Sequence, residues 1–229
     1  MHLASPLLLA VGLGLCTSCS GDLAQKLPPQ PGPDGGISEA GPLALTTNPE
    51  GIAYPTDNIG GQPKSDLQAG QIFPNLALEG VLSAAAVNTP VVVPMADYYD
   101  PEGLRYDLLH VIAIFMWCPH CNNETYNLAA VAGWQASQRV AVVQIAMQGY
   151  DRNTGASPTW PDLRQWATDH NVNFPVVIDG QGAQLAAYFP VGSVPVNIVV
   201  NPRTMEVLAV DVGEVTDIQS YEQGFLAGL

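Results

Sequence analysis

The chain has 229 residues, 47% of them hydrophobic, enough for one domain with a core and for additional segments besides. Seven basic residues against 21 acidic ones give a net charge of −14. Binding to nucleic acid requires clustered Lys and Arg, which are few and scattered here, so nucleic acid is excluded as a partner. The same charge opposes adsorption to anionic lipid, so any membrane attachment has to be covalent.

The chain opens on an apolar or small run, residues 3–15. A spanning helix takes about 20 residues, so this run is too short to cross a membrane but has the length of a signal-peptide core. It leads into Cys16-Thr17-Ser18-Cys19, where the small residues before Cys19 resemble the bacterial lipoprotein signal, in which cleavage leaves an acylated cysteine at the new N-terminus. Two departures are visible: Cys16 stands where Leu is usual, and no Lys or Arg precedes the apolar run. Residues 1–19 are therefore read as a leader with Cys19 as the lipidation site. Residues 20–69 read as a low-complexity, disordered linker, because Leu27-Pro28-Pro29-Gln30-Pro31-Gly32-Pro33 has no apolar period and too many breakers for a core element.

From residue 70 to 229 the pattern is that of a folded domain. Strands are expected over 76–82 and 91–93, then a Tyr/Asp/Gly-rich loop, then a buried strand over 110–115. A helix is expected over 119–136 and a strand over 139–146. Thr159-Trp160-Pro161-Asp162 is a helix start, with an N-cap Thr, an early Pro and an acid at the third helical position. Strands over 174–178, 196–200 and 207–212 follow, with a short helix over 182–188 and a closing helix over 217–226. The last two strands, joined through Asn201-Pro202-Arg203-Thr204, form a hairpin. The fold class is α/β, a central mixed sheet flanked by helices.

The four cysteines form two C-x-x-C pairs, Cys16/Cys19 and Cys118/Cys121. Such pairs serve zinc, redox chemistry or a structural crosslink. A zinc site needs both pairs, and the first lies in the leader. The second lies where a strand passes into a helix. A helix N-terminus carries partial positive charge and unpaired N–H groups, which favour a thiolate on Cys118. The two-residue spacing then brings Cys121 within reach of a mixed disulfide. Pro119 suits the first helical turn. Trp117 shields one side of the pair, and His120 either tunes the Cys118 thiolate or is an exposed spacer.

The segment Trp117-Cys118-Pro119-His120-Cys121, with Glu124 three residues on, resembles the active site of the TlpA/ResA-like, or redoxin (AhpC/TSA-type), branch of the thioredoxin superfamily. The likeness continues through Asn173-Phe174-Pro175-Val176-Val177-Ile178-Asp179 and Gly192-Ser193-Val194-Pro195-Val196-Asn197. It implies a thioredoxin-like fold and a thiol–disulfide oxidoreductase acting on protein thiols and disulfides. It also implies that Pro195 is a cis-proline facing the pair, with the backbone of Val194 as the substrate platform. Two departures stand out: Tyr126 replaces a helix-kinking Pro, and Ile112 occupies the strand position of thioredoxin's buried carboxylate. Proton transfer at Cys121 is thereby left to water, Glu124 or His120. The Cys-Pro-His-Cys loop matches the oxidising DsbA type, whereas the scaffold does not.

Two rivals remain. A thiol peroxidase on the same fold needs a Thr three residues before its cysteine, where this chain has Phe115. A copper-binding or metallochaperone-like module would add His110 or His170 to the cysteines, although both sit where structural histidines are usual. The reading calls for no cofactor and no metal. It places the protein outside the cytoplasm, on the periplasmic face of a bacterial membrane through its lipid anchor, or secreted.

Overall fold

The structure, a computed structural model, describes residues 19–20, 46–59, 67–185 and 192–229. Seven strands form one sheet: β1 (Ala77–Val81), β2 (Val91–Pro94), β3 (Leu108–Phe115), β4 (Val140–Gln148), β5 (Val176–Ile178), β6 (Val196–Asn201) and β7 (Glu206–Val212). Their order across the sheet is β2-β1-β5-β4-β3-β6-β7. Strands β3, β4 and β5 run parallel, and every other neighbouring pair is antiparallel. Every residue of β3 and β4 is buried, which is why both read as near-continuous apolar runs rather than alternating ones. The β6–β7 hairpin expected from sequence is present, closed by Met205 N donating to Asn201 O.

Among the described residues four α-helices accompany the sheet: α1 (Pro119–Ala130), α2 (Ala132–Ser137), α3 (Trp160–Asp169) and α4 (Ile218–Leu226). The start of α3 is the capping box read from sequence, Thr159 and Asp162 each satisfying the other's backbone N–H. Leu163, Trp166 and Ala167 turn inward. The single helix expected over 119–136 is instead two. It breaks at Val131 (φ −100°, ψ 7°), whose N–H bonds three residues back to Leu128 O. A β-branched residue followed closely by Gly133 is a weak point for helix propagation.

Strand register puts His110, Ile112, Val142, Gln144 and Asn197 on one face of the sheet. Above this face, residues of all four helices bond to these side chains or to one another: Thr125 and Trp166 to Gln144, Glu222 to His110, and Gln135 to Glu222. The folded part begins before residue 70. Tyr54 and Leu67 are buried in the core, and Tyr54 OH donates to Phe73 O over 2.8 Å. The linker read over 20–69 thus gives way to packed chain before its expected end; Pro and Gly around these residues hid the anchors. Cys19 and Ser20 pair antiparallel with Val194 and Ser193. The rest of the leader, residues 21–45 and 60–66 of the linker, and the end of the helix expected over 182–188 lie outside the described residues; its start is a 3-10 turn, Gly180–Gly182. Among the described residues no helix is long and apolar enough to cross a membrane.

At Gly80 the neighbouring strand leaves no room for a side chain. A Cβ there would collide with Val176 O and lie 2.7 Å from Val177 Cα, both backbone atoms of the adjoining β5. Gly80→Ala should therefore destabilise the protein by about 1–3 kcal/mol or more, read as a lowered midpoint in denaturant unfolding.

Candidate active site

The site is built where β3 hands over to α1. Only Met116, Trp117 and Cys118 separate the two elements. Cys118 is the N-cap of α1 in extended conformation, and Pro119 follows in the first turn, where its missing N–H leaves no bond unmade. Cys118 N donates to Phe115 O, and Met116 N to Gln148 O on β4. Asn122 Nδ2 donates to the carbonyls of both Met116 and Cys118. Below them Thr125 Oγ1 donates to Cys121 O and accepts from Gln144 Nε2, while Gln144 Oε1 accepts from Trp166 Nε1, all over 2.7–2.8 Å and all buried. This chain of bonds fixes the first turns of α1 against β4 and α3.

Cys118 and Cys121 are both thiols here, and both are fully buried. The Val194–Pro195 peptide is cis, and Cys118 Sγ lies 3.9 Å from Val194 O. The structure thus brings together across the fold the two motifs that are 74 positions apart from Cys121 to Pro195. Burial pushes the Cys121 thiol well up, and its bond to Cys118 and the charge there push in the same direction. Trp117 is held at the rim. Its Nε1 donates to Gln148 Oε1 over 2.8 Å, and the Arg152 guanidinium sits 4.9 Å from the ring centre.

The loop after β7 supplies partners that the sequence did not reveal. His120 Nδ1 lies 2.6 Å from Glu214 Oε2, and this contact raises the imidazole above its ordinary value, with a charge on Cys118 acting the same way. Val215 N donates to Glu124 Oε2 over 3.2 Å. Glu124 is wholly buried, and burial pushes its carboxyl up to about 8. Asn197 lies near enough to favour the charged form, yet no bond of ordinary length reaches Oε1. Gly213 N donates to Pro195 O, and Gly213 O accepts from Asn197 Nδ2. Three consecutive residues, 213–215, therefore touch the cis-proline, His120 and Glu124.

Asn197 also connects to a deeper group. With Nδ2 donating to Gly213, its Oδ1 faces His110 Nε2 at 2.8 Å, which makes Nε2 the donor. His110 Nδ1 meets Glu222 at 2.8 Å, and Gln135 holds both oxygens of that carboxylate. His170 caps α3, its Nδ1 against Trp166 O and its ring stacked between Trp166 and Tyr126. Both histidines are thus packed into structure rather than turned toward the cysteines. Ile112 is buried with no polar function, and the carboxylate near the pair comes instead from Glu124, one helical turn past Cys121. Among the described residues no three His, Cys, Asp or Glu side chains are grouped to hold a metal.

A carboxyl raised on folding binds its proton in the folded state while the unfolded chain has released it. Glu124 therefore erodes stability as pH climbs from its ordinary value of 4.5 through about 8, and the loss is complete above that. Glu124→Gln should flatten this decline. The difference between wild type and variant should change by up to roughly 1.4 kcal/mol per pH unit between about pH 5 and pH 8, measured by denaturant unfolding across that range.

Residues 85–212 match the model of the AhpC/TSA family. No curated protein matches the chain. Among solved structures, the thioredoxin domain of a thiol-disulfide oxidoreductase from Bacteroides vulgatus shares 18% identity at a TM-score of 0.51, covering 70% of this chain and 99% of that one. AhpC from Enterococcus faecalis shares 13% identity at a TM-score of 0.53, covering 72% and 96%. A chain from Chlorobium tepidum, assigned as the thiol:disulfide interchange protein DsbE, shares 20% identity at a TM-score of 0.51, covering 71% and 98%. These likenesses carry the fold, and the family match covers more than half the sequence. The chain belongs to the AhpC/TSA family and is a thioredoxin-like oxidoreductase.

Proposed function

We propose that this protein exchanges a Cys118–Cys121 disulfide with the thiols and disulfides of protein substrates outside the cytoplasm. The observation that carries the reading is the placement of Cys118 at the N-cap and Cys121 in the first turn of α1, with the Cys118 sulfur against the carbonyl that precedes a cis-proline. Helix N-termini favour a thiolate on the N-cap sulfur. In the reductive direction, the Cys118 thiolate attacks a substrate disulfide. A bond forms between Cys118 and one substrate sulfur, and the other leaves as thiolate. Cys121 then loses its proton and attacks Cys118. The substrate departs reduced, and Cys118 and Cys121 are left as the disulfide. Oxidation of a substrate dithiol is the same path reversed.

Proton movement at Cys121 follows from its surroundings. Cys121 and Glu124 are each held up by burial and by charge on Cys118. When Cys118 enters a mixed disulfide that charge vanishes, so both groups become easier to ionise at the step where Cys121 has to lose its proton. Once it has itself ionised, Glu124, one helical turn past Cys121, is the group suited to receive it. The backbone of Ser193 and Val194 is the platform for the substrate chain. The antiparallel pairing of Ser20 and Cys19 there supports this reading, and that segment has to leave for a substrate to enter. The peroxidase reading is disfavoured by Phe115, buried at the end of β3 where that chemistry wants a Thr. Attachment through an acylated Cys19 is part of the proposal and rests on the leader sequence.

In the full chain, Cys121→Ser should accumulate a mixed disulfide with a cystine-containing peptide, seen as a mass adduct on Cys118. Cys118→Ser should form none and exchange at background rate. Adducts on Cys121 alone, or rapid peroxide consumption by the wild type, would count against the reading. Cells expressing the full chain should carry it in the detergent phase on partition, and Cys19→Ala should move it to the aqueous phase.

A further inference from the structure

His120 is the one ionisable side chain between the two cysteines, and it does not point freely into solvent. Its Nδ1 is held at 2.6 Å by Glu214 from a segment 94 residues away, and the Glu214 side chain is only 14% exposed. Glu214 is itself held in place. The residues on either side of it are bonded, Gly213 to Pro195 and Asn197, and Val215 to Glu124. A carboxylate that receives Nδ1–H does two things to an imidazole: it fixes the ring's orientation, and it leaves Nε2 as the nitrogen able to face another group. The charged groups that face His120 are Glu214 and the Cys118 sulfur, with Glu124 and Cys121 behind them.

We propose that Glu214 is a positioning residue for exchange at Cys118. By holding Nδ1 it keeps His120 oriented and positively charged beside the Cys118 thiolate, and so stabilises the dithiol form of the couple. The proposal rests on the exchange reading above and adds to it a residue that takes no part in bond making. The sign depends on a competition. Glu214 brings a negative charge near the sulfur, which opposes the thiolate, but it also secures a positive one on His120, which interacts with the charge on Cys118. The positive charge dominates only where the imidazole would otherwise be neutral, that is, above its ordinary value near 6.5. The raised His120 agrees with this sense.

The experiment is the redox equilibrium of the full chain with glutathione at pH 7.5 and at pH 5.5, for wild type, Glu214→Gln, Glu214→Asp, His120→Asn and the His120→Asn/Glu214→Gln double variant. At pH 7.5, Glu214→Gln should shift the equilibrium toward the disulfide by about three- to tenfold, and Glu214→Asp should restore most of it. At pH 5.5, where the ring is charged in either case, Glu214→Gln should produce no shift toward the disulfide. In the His120→Asn background Glu214→Gln should produce none at either pH. In parallel, the NMR titration midpoint of the His120 ring should fall in Glu214→Gln. The proposal is overturned if the midpoint does not move. It is equally overturned if the midpoint falls while the redox equilibrium stays put, or if the equilibrium shifts equally without His120. Unfolding curves of the variants separate these effects from loss of fold. If the wild type forms no Cys118–Cys121 disulfide at all, the exchange reading fails first. A normal wild-type couple that ignores Glu214 sinks this proposal alone.

Discussion

The position of the first turn of α1 is the constraint on which the site depends. If α1 began one residue later, Cys118 would not cap it and Pro119 would fall outside its first turn. The start is fixed from both sides. Asn122 ties the helix back to the carbonyls of Met116 and Cys118, and the buried chain from Cys121 O through Thr125 and Gln144 to Trp166 locks it to β4 and α3. Buried polar groups have to be satisfied, and each bond made to one narrows the positions the helix can take. The cost of placing Gln144 in the middle of a fully buried strand is thereby offset, and the result is a fixed helix N-terminus beneath a sulfur.

The opposite flank is held by backbone. The loop at 213–215 reaches the cis-proline, His120 and Glu124 through consecutive residues, so these three groups share one support. A thioredoxin-like site commonly places its buried acid on the central strand. Here that strand carries Ile112, and Glu124 on α1 approaches from the helix side. The carboxyl keeps one oxygen bonded to Val215 N and the other without a partner, an arrangement that suits a group which gains and loses a proton at each cycle.

Much of this was legible in the sequence, for physical reasons. Parallel strands buried on both faces must be apolar throughout, so β3 and β4 stood out as runs. The capping box at Thr159 and Asp162 is a local bond pattern written in four residues. Cys118, Cys121, Pro119 and the Val194–Pro195 step are short motifs, and the fold places them together. What escaped was long-range. Glu214 follows a glycine in an acidic chain and resembles any solvated carboxylate until the fold brings it 94 positions to His120. The polar residues inside apolar runs, His110, Gln144 and Asn197, were a usable signal, since a polar group in a buried strand needs a partner somewhere. Their partners lay on other elements and were not readable. Tyr54 and Leu67 were missed because their neighbours are breakers, although each buries a side chain in the core.

The central claim is that Cys118 and Cys121 form a reversible two-electron couple. The most direct measurement is to equilibrate the full chain in glutathione or dithiothreitol buffers spanning roughly −300 to −120 mV, quench with acid, and map the cysteines by mass spectrometry. The account predicts a single transition of two-electron slope in which a disulfide links Cys118 to Cys121. Two cysteines that stay thiols across that whole range, or that oxidise separately without joining, would contradict it.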